Sequence, residues 1–186
     1  VPYVLKQVNA PLYATRLTIG LVEHKLKEHN LLSSVKLVRA KYGNVINAGQ
    51  NFSVEFVRTN HSIADSAALA IKTPVGTVIH MGDFKIDTTP IVGDMIDLAR
   101  LGELGKEGVL AVLSDSTNVE RPGYAMSERS VGEKFEQIFK GCNKRIIVAT
   151  FASNVHRVQQ IIDAAAKNGR KVAVSGRSME NIVEIS

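Results

Sequence analysis

The sequence predicts an α/β protein, in which a β-rich α/β region is followed by strand, loop and helix units. Three observations carry this prediction. The stretch Phe52-Ser53-Val54-Glu55-Phe56-Val57 alternates apolar and polar residues at the strand period. Ala67 to Lys72 and Thr77 to His80 flank Thr73-Pro74-Val75-Gly76, whose Pro and Gly suit a hairpin turn. From residue 109 onward, short apolar stretches alternate with helical patterns, which argues for a parallel sheet covered by helices.

Taken in order, the first element is a helix capped by Thr15, with Leu17, Leu21, Val22 and Leu26 on its apolar face and its end near His29-Asn30. Extended segments follow, then the hairpin. Val109 to Leu113 is a strand, and a helix from Ser127 puts Val131, Phe135, Ile138, Phe139 and Cys142 on one face. Arg145 to Thr150 reads as the next strand. A helix from about Ser153 carries Val155, Val158, Ile161, Ile162 and Ala165 at helical spacing and ends at Asn168-Gly169. Lys171 to Val174 is the last strand. The loop from Asn118 to Tyr124 is the expected domain boundary. The chain opens on Val1-Pro2-Tyr3 inside an apolar segment and closes at Glu184-Ile185-Ser186 inside a helical pattern, so both ends are expected to be cuts.

Composition narrows the class. With 186 residues, 45% of them hydrophobic, the chain can bury a sizeable core. No apolar run approaches the roughly 18 residues of a membrane span. The single cysteine, Cys142, excludes a disulfide framework and fits a reducing cytoplasm. Of the +5 net charge, all lies in residues 1–60, where eight Lys/Arg face three Glu, while residues 61–186 hold fifteen of each sign. Such a face attracts a polyanion such as RNA, or is simply a solvated lysine-rich surface.

Two loops of the β-rich region place metal-ligand chemistry at strand ends. Thr59-Asn60-His61-Ser62-Ile63-Ala64-Asp65-Ser66 offers an imidazole at His61, and His80-Met81-Gly82-Asp83-Phe84 a carboxylate at Asp83. A neutral imidazole and a carboxylate suit Zn²⁺ or Mn²⁺, and a carboxylate can bridge two ions. Both side chains could equally be hydrogen-bonded structural groups. His24 and His29, five apart on a helix, diverge and are expected to face solvent, and His80 to fill a half-buried strand position. Three later strands end in Ser114-Asp115-Ser116-Thr117-Asn118, Thr150-Phe151-Ala152-Ser153-Asn154 and Ser175-Gly176-Arg177-Ser178. On one edge of a parallel sheet they would form a phosphate groove, with Ser153 at a helix start and Arg157 one turn further in. Alternatively, they are helix and turn caps.

His61-Ser62-Ile63-Ala64-Asp65-Ser66, the segment from Thr77 to Lys85, Leu113 to Asn118 with Val119-Glu120-Arg121-Pro122, and Ala149 to His156 together resemble bacterial ribonuclease J. The resemblance covers essentially the whole chain. It implies part of a metallo-β-lactamase αββα sandwich over residues 1–118, followed over 119–186 by the start of a β-CASP domain with a helix-covered parallel sheet. It also implies that His61 binds one metal and Asp83 bridges two, these being zinc or manganese, with magnesium as an alternative. Asp115 falls on the acidic residue of the first β-CASP motif and would orient a later histidine. Ser116, Thr117, Ser153, Asn154, His156, Arg157 and Arg177 become candidate RNA phosphate contacts.

The activity implied is hydrolysis of single-stranded RNA in the cytoplasm, within the strand and from a 5′-monophosphate end, by a metal-activated water. The partners implied are RNA, a second copy or a paralogue, and no membrane. Two features depart from the family. The His-x-His-x-Asp-His stretch expected just before Val1 and the histidines expected after Ser186 are not in the sequence, and Ala64 stands where relatives often carry Pro. This chain alone is therefore expected to be inactive. Two other readings share the same residues: a catalytically silent RNA-binding or partner subunit, and a lactamase-fold hydrolase of small thioesters or lactones.

Overall fold

The alternation at residues 52–57 becomes β4 (Phe52–Arg58), an inner strand of a five-stranded mixed sheet in the computed structural model, which describes residues 1–185. Its neighbours are β3 (Val45–Ala48) on one side and β5 (Ala67–Thr73) on the other, both antiparallel to it. β5 turns back through the predicted hairpin into β6 (Gly76–His80), with Thr73 Oγ1 donating to Gly76 O (2.8 Å) and accepting from Val75 N (3.2 Å). Gly76 is required there: its φ is +144°, and an added Cβ would come within 3.1 Å of Leu110 Cβ. β7 (Val109–Leu113) pairs parallel to β6 and closes the order β3-β4-β5-β6-β7. That strand therefore belongs to the first sheet and does not open a new one, although the strand, loop and helix pattern starts at residue 109.

A core of Val57, Ala68, Ala70, Ile79, Met81, Ile96 and Leu104 lies against this sheet. It includes a helix that the pattern did not announce, α3 (Leu98–Glu107), whose two glycines at 102 and 105 mask the helical signal, while Gly108 follows as its C-cap. Tertiary contacts outweigh that weak propensity. Asp97 caps the helix by accepting from Arg100 N (3.0 Å), Leu104 is 0% exposed, and Arg100 forms a two-pronged pair with Glu55 of β4 at 2.8 and 2.9 Å.

Before the sheet come α1 (Pro2–Leu5), β1 (Leu12–Ala14), α2 (Arg16–Glu28), a 3₁₀ turn (Leu32–Ser34) and β2 (Leu37–Arg39). β1 and β2 form a separate parallel pair beside α2, so the described residues hold one five-stranded sheet and this small ribbon, consistent with the partial sandwich expected over this region. Within α2, Leu17, Ile19 and Leu26 are buried, while Leu21 and Val22 are only half-buried. Thr15 occupies the cap position without capping: its hydroxyl donates to Thr18 Oγ1 (3.2 Å). A residue far along the chain takes its place, with Asp65 Oδ2 accepting from Leu17 N at 3.4 Å.

The second region is helical: α4 (Arg129–Gly141), α5 (Val155–Lys167) and α6 (Arg177–Ile185). α4 and α5 pack through Phe139, Ala164 and Ala165, with Phe135, Ile146 and Ile161 around them, whereas Ile138 is exposed. The strands expected at 145–150 and 171–174 carry no sheet ladder among the described residues. Both segments instead line a groove of about 250 Å³ that Val158, Ile161 and Ile162 of α5 also line, with residues 171–174 left exposed. The predicted parallel sheet of this region is thus not formed here. α6 crosses to the first region, where Gly20 of α2 meets Ile185 so closely that a Cβ would lie 2.6 Å from its Cγ2. Among the described residues no helix is long and apolar enough to cross a membrane.

Candidate functional site

Strand direction sets the site. β4 and β6 are each antiparallel to β5, and β7 is parallel to β6, so β4, β6 and β7 all end at the same edge of the sheet. His61 follows β4, Asp83 follows β6 and Asp115 follows β7. Two backbone links hold these loops side by side: Lys85 N donates to Asn60 O (2.8 Å), and Met81 N donates to Leu113 O (2.9 Å). The sequence-predicted carriers of chemistry are therefore brought to one place.

The His61 loop is tied at its base. Thr59 N donates to Ser66 O (3.2 Å), the two hydroxyls are 3.1 Å apart, and Ser66 Oγ donates to Thr59 O (3.1 Å). Asn60 fixes the far side, accepting from Ile96 N (2.6 Å) and donating to Asp94 O (3.0 Å). Asp65, at φ +59°, completes the loop through its bond to α2. His61 is half-buried, with Ser62 Oγ 3.4 Å from its Nδ1. Asp83 is exposed on the turn made by Gly82 (φ +62°), and no described group hydrogen-bonds its carboxylate. His80 is also exposed, not half-buried as expected, and its Nδ1 accepts from Gly82 N (3.1 Å). His24 and His29 are partly covered: His24 lies 3.7 Å from Glu28, and the His29 ring meets Tyr3 edge-on at 5.4 Å.

Asp115 is engaged by the loop that carries it. Its Oδ1 accepts from Thr117 Oγ1 (2.6 Å) and Thr117 N (3.0 Å), and these bonds, aided by the nearby His61, hold its carboxyl below the usual range against a smaller burial effect. Thr117 is thereby committed to Asp115, and Ser116 Oγ donates to Ser114 O (3.2 Å). Neither hydroxyl is turned toward a free phosphate position by these bonds.

His156 comes from the second region to the same edge. It lines two clefts with His61, one of about 180 Å³ that includes Tyr42, Arg58 and Asp65, and one of about 30 Å³ that includes Lys85, Asp87 and Glu128. Burial holds His156 below the ordinary imidazole value, opposed by Glu128 and Asp65. Burial also pushes the Tyr42 hydroxyl up to about 12, with Asp65 adding to the effect and Arg58 opposing it.

The expected phosphate groove is only partly assembled. Ser153 is exposed, but Asn154 is the cap of α5: it is 5% exposed and accepts from Arg157 N (3.1 Å). Arg157 points inward, its Nη2 donating to Glu128 Oε2 (2.6 Å) and its Nε buried without a partner. Arg177 diverges altogether and pairs with Glu28 at the end of α2 (3.2 Å). Among the described residues no sheet ladder aligns the three loops on one edge. Three residues that the sequence reading did not single out prove central: Lys85, Asp87 and Glu128. Asp87-Thr88-Thr89-Pro90 is legible as a turn, and Asp87 Oδ1 does accept from Thr89 N (3.0 Å). Nothing in the linear pattern links it to Glu128, 41 residues away.

A two-metal centre needs several imidazole and carboxylate donors around each ion. Among the described residues no three His, Cys, Asp or Glu side chains are grouped so that they could hold one ion. His61 and Asp83 by themselves do not fit a complete centre.

Residues 143–186 match the family model described as the β-CASP domain of ribonuclease J. A Synechocystis ribonuclease J is 48% identical over 98% of this chain, which spans 29% of that relative. A Streptococcus pyogenes ribonuclease J 1 is 46% identical over 98% of the chain and 32% of its own length. A Bacillus subtilis ribonuclease J2 is 40% identical over 99% of the chain and 33% of its own length. The chain thus spans about a third or less of these relatives. In structure it is similar to a protein of unknown function from Enterococcus faecalis V583, with a TM-score of 0.61 and 19% identity, covering 90% of this chain and 47% of that one. This second likeness concerns the fold alone.

Proposed function

We propose that this chain, similar along nearly its whole length to ribonucleases J, is the part of such an enzyme that unites the lactamase-like sheet with the first helices of the β-CASP region. The full-length protein then hydrolyses RNA phosphodiesters. The observation that carries the reading is the common edge at which β4, β6 and β7 release His61, Asp83 and Asp115, with His156 lining two clefts together with His61.

On this reading the division falls after Asn118. His61 and Asp83 are this chain's share of a divalent-cation centre for zinc, manganese or magnesium. The exposed, unpartnered carboxylate of Asp83 is what a cation ligand requires before the ion arrives. Asp115 is held ionised by Thr117 and orients its neighbours at the same edge. His156 and Ser153 bind the RNA backbone, while Asn154 and Arg157 shape the helix start behind them. Base edges are not read, since the groups on offer are backbone binders. The protein acts in the cytoplasm on single strands, prefers a 5′-monophosphate end, and assembles with a second copy or a paralogue.

The test compares full-length wild type with Asp83→Asn and His61→Ala on RNA bearing a 5′-monophosphate or a 5′-triphosphate. Wild type should cleave, with the monophosphate preferred. Each variant should lose more than the roughly 10–100-fold typical of outer-shell groups, and metal content should fall with activity. Full metal occupancy and undiminished cleavage in Asp83→Asn would overturn the assignment. So would a wild type that hydrolyses a thioester and leaves RNA intact.

A further inference from the structure

The two hydrophobic cores are separate, and the junction beside the His61 cleft is polar. The segment after β6 contributes Lys85, Asp87, Thr89 and Pro90. The start of α4 contributes Ser127, Glu128 and Arg129. Asp87 is 5% exposed and receives Glu128 N at Oδ2 (3.3 Å) and Thr89 N at Oδ1 (3.0 Å), so a carboxylate of the first region helps to cap a helix of the second. Burial works against that carboxylate, yet the bonds from Thr89 N and Glu128 N, with the Ser127 hydroxyl and Lys85 nearby, outweigh it and hold the Asp87 carboxyl below its ordinary range. Ser127 Oγ donates to Thr89 O (2.9 Å), and Arg129 Nη2 to Pro90 O (3.3 Å).

Glu128 stands at the centre of this junction and faces both ways. On one side its Oε1 lies 3.6 Å from Lys85 Nζ, two residues beyond Asp83. Lys85 itself donates to Met126 O (3.0 Å) and lies 3.6 Å from Asp87. On the other side, Glu128 Oε2 accepts from Arg157 Nη2 at 2.6 Å, and its backbone oxygen accepts from Gln160 Nε2 at 3.0 Å. Its side chain is 18% exposed, so these pairs are shielded enough to hold geometry. His156 is the residue next to Arg157, and it lines the same cleft as Glu128, Lys85 and His61.

We propose that Glu128 is a positioning residue for substrate binding: it clamps the first turn of α5 to the Asp83-bearing segment and thereby sets the spacing of His156 from His61. This rests on the reading of that cleft as the place where RNA lies. Arg157 belongs to the clamp and not to the phosphate contacts expected of it, because its guanidinium is turned onto Glu128. The clamp touches no reacting atom. Its loss changes where the strand is held before it changes the chemistry.

The experiment uses full-length protein with Glu128→Gln, Glu128→Ala, and the charge-exchanged pair Glu128→Arg with Arg157→Glu. KM and kcat are measured on 5′-monophosphorylated RNA, and hydrogen exchange is followed at residues 125–131 and 154–160. Glu128→Gln should raise KM about tenfold, keep kcat within about twofold, and speed exchange in both segments together, the signature of lost binding without lost chemistry. The charge-exchanged pair restores the α5 side of the clamp but sets a second cation beside Lys85, so it should slow exchange at 154–160 relative to Glu128→Gln while KM stays raised. If Glu128→Ala does not fold, Glu128→Gln and the exchanged pair still decide the matter. Unchanged KM with unchanged exchange overturns the proposal. So does a fall in kcat alone that matches an unfolded fraction. A wild type that does not cleave RNA defeats the functional reading, and the exchange data then judge the clamp separately.

Discussion

Asp65 joins the His61 loop to α2, and its replacement isolates what that link contributes. Two properties meet at this residue: its Oδ2 accepts from Leu17 N at 3.4 Å, and its φ of +59° lies where side chains other than Gly, Asn and Asp are strained. Losing the cap bond costs about 1 kcal/mol. A Cβ without a locally bonding side chain adds roughly 1 kcal/mol in this backbone region. Asp65→Ala should therefore lose about 2 kcal/mol, a drop in Tm of roughly 4–8 °C for a chain of this size. Asp65→Gly loses the bond but relieves the backbone, and should stay within about 1 kcal/mol of wild type. Asp65→Asn keeps an acceptor and tolerates the left-handed conformation, so about 0.5 kcal/mol is expected. Urea titration of this chain, followed by far-ultraviolet circular dichroism, measures all three. The order Asn, Gly, Ala from most to least stable is the essential result. If Ala matches Asn, or Gly falls below Ala, neither the remote cap nor the backbone strain operates as described.

Three further outcomes follow from the same structure. Leu104→Ala should cost about 2–5 kcal/mol, since the side chain is 0% exposed between α3 and the sheet, and denaturant midpoints will show it. Asp87 has a depressed folded-state pKa, so its contribution is present at neutral pH, shrinks as pH falls below the ordinary 3.8, and is gone below the depressed value. Stability measured from pH 7 to pH 3 should accordingly fall less steeply in Asp87→Asn than in wild type. This chain alone, dialysed and assayed for metal, should hold no tightly bound pair of ions and should not cleave 5′-monophosphorylated RNA, because its described donors are too few. Turnover that vanishes on His61→Ala would contradict that expectation.

The sheet was legible because its strands are bounded by strong local signals, namely the alternation in β4 and the Thr73-Pro74-Val75-Gly76 turn. α3 was not, because Gly102 and Gly105 lower its propensity, and burial of Leu104, the Asp97 cap and the Arg100–Glu55 pair compensate. At the site, His61, Asp83 and Asp115 were legible as residues at strand ends, and topology brought them to one edge. The phosphate groove was misread for a specific reason. Arg157 and Arg177 look free in the sequence, but each finds a carboxylate far away in the chain, Glu128 and Glu28. Ser153 looked like a cap and Asn154 beside it is the cap. Long-range partners of charged side chains leave no periodic trace.

Among the described residues β7 has a neighbour on one side only, and it is the run Val-Leu-Ala-Val-Leu, with Leu110 61%, Val112 57% and Leu113 53% exposed. Such a strand presents an unpaired row of N–H and C=O groups with apolar side chains on both faces, the arrangement on which another extended chain can add itself. No charge lies within the run to discourage this, and the nearest acidic residues, Glu107 and Asp115, sit beyond its two ends. This chain in solution is therefore expected to associate increasingly as its concentration rises. A lysine placed at Val112, on the exposed strand, would act as a gatekeeper and hold it monomeric at concentrations where the natural sequence forms larger species.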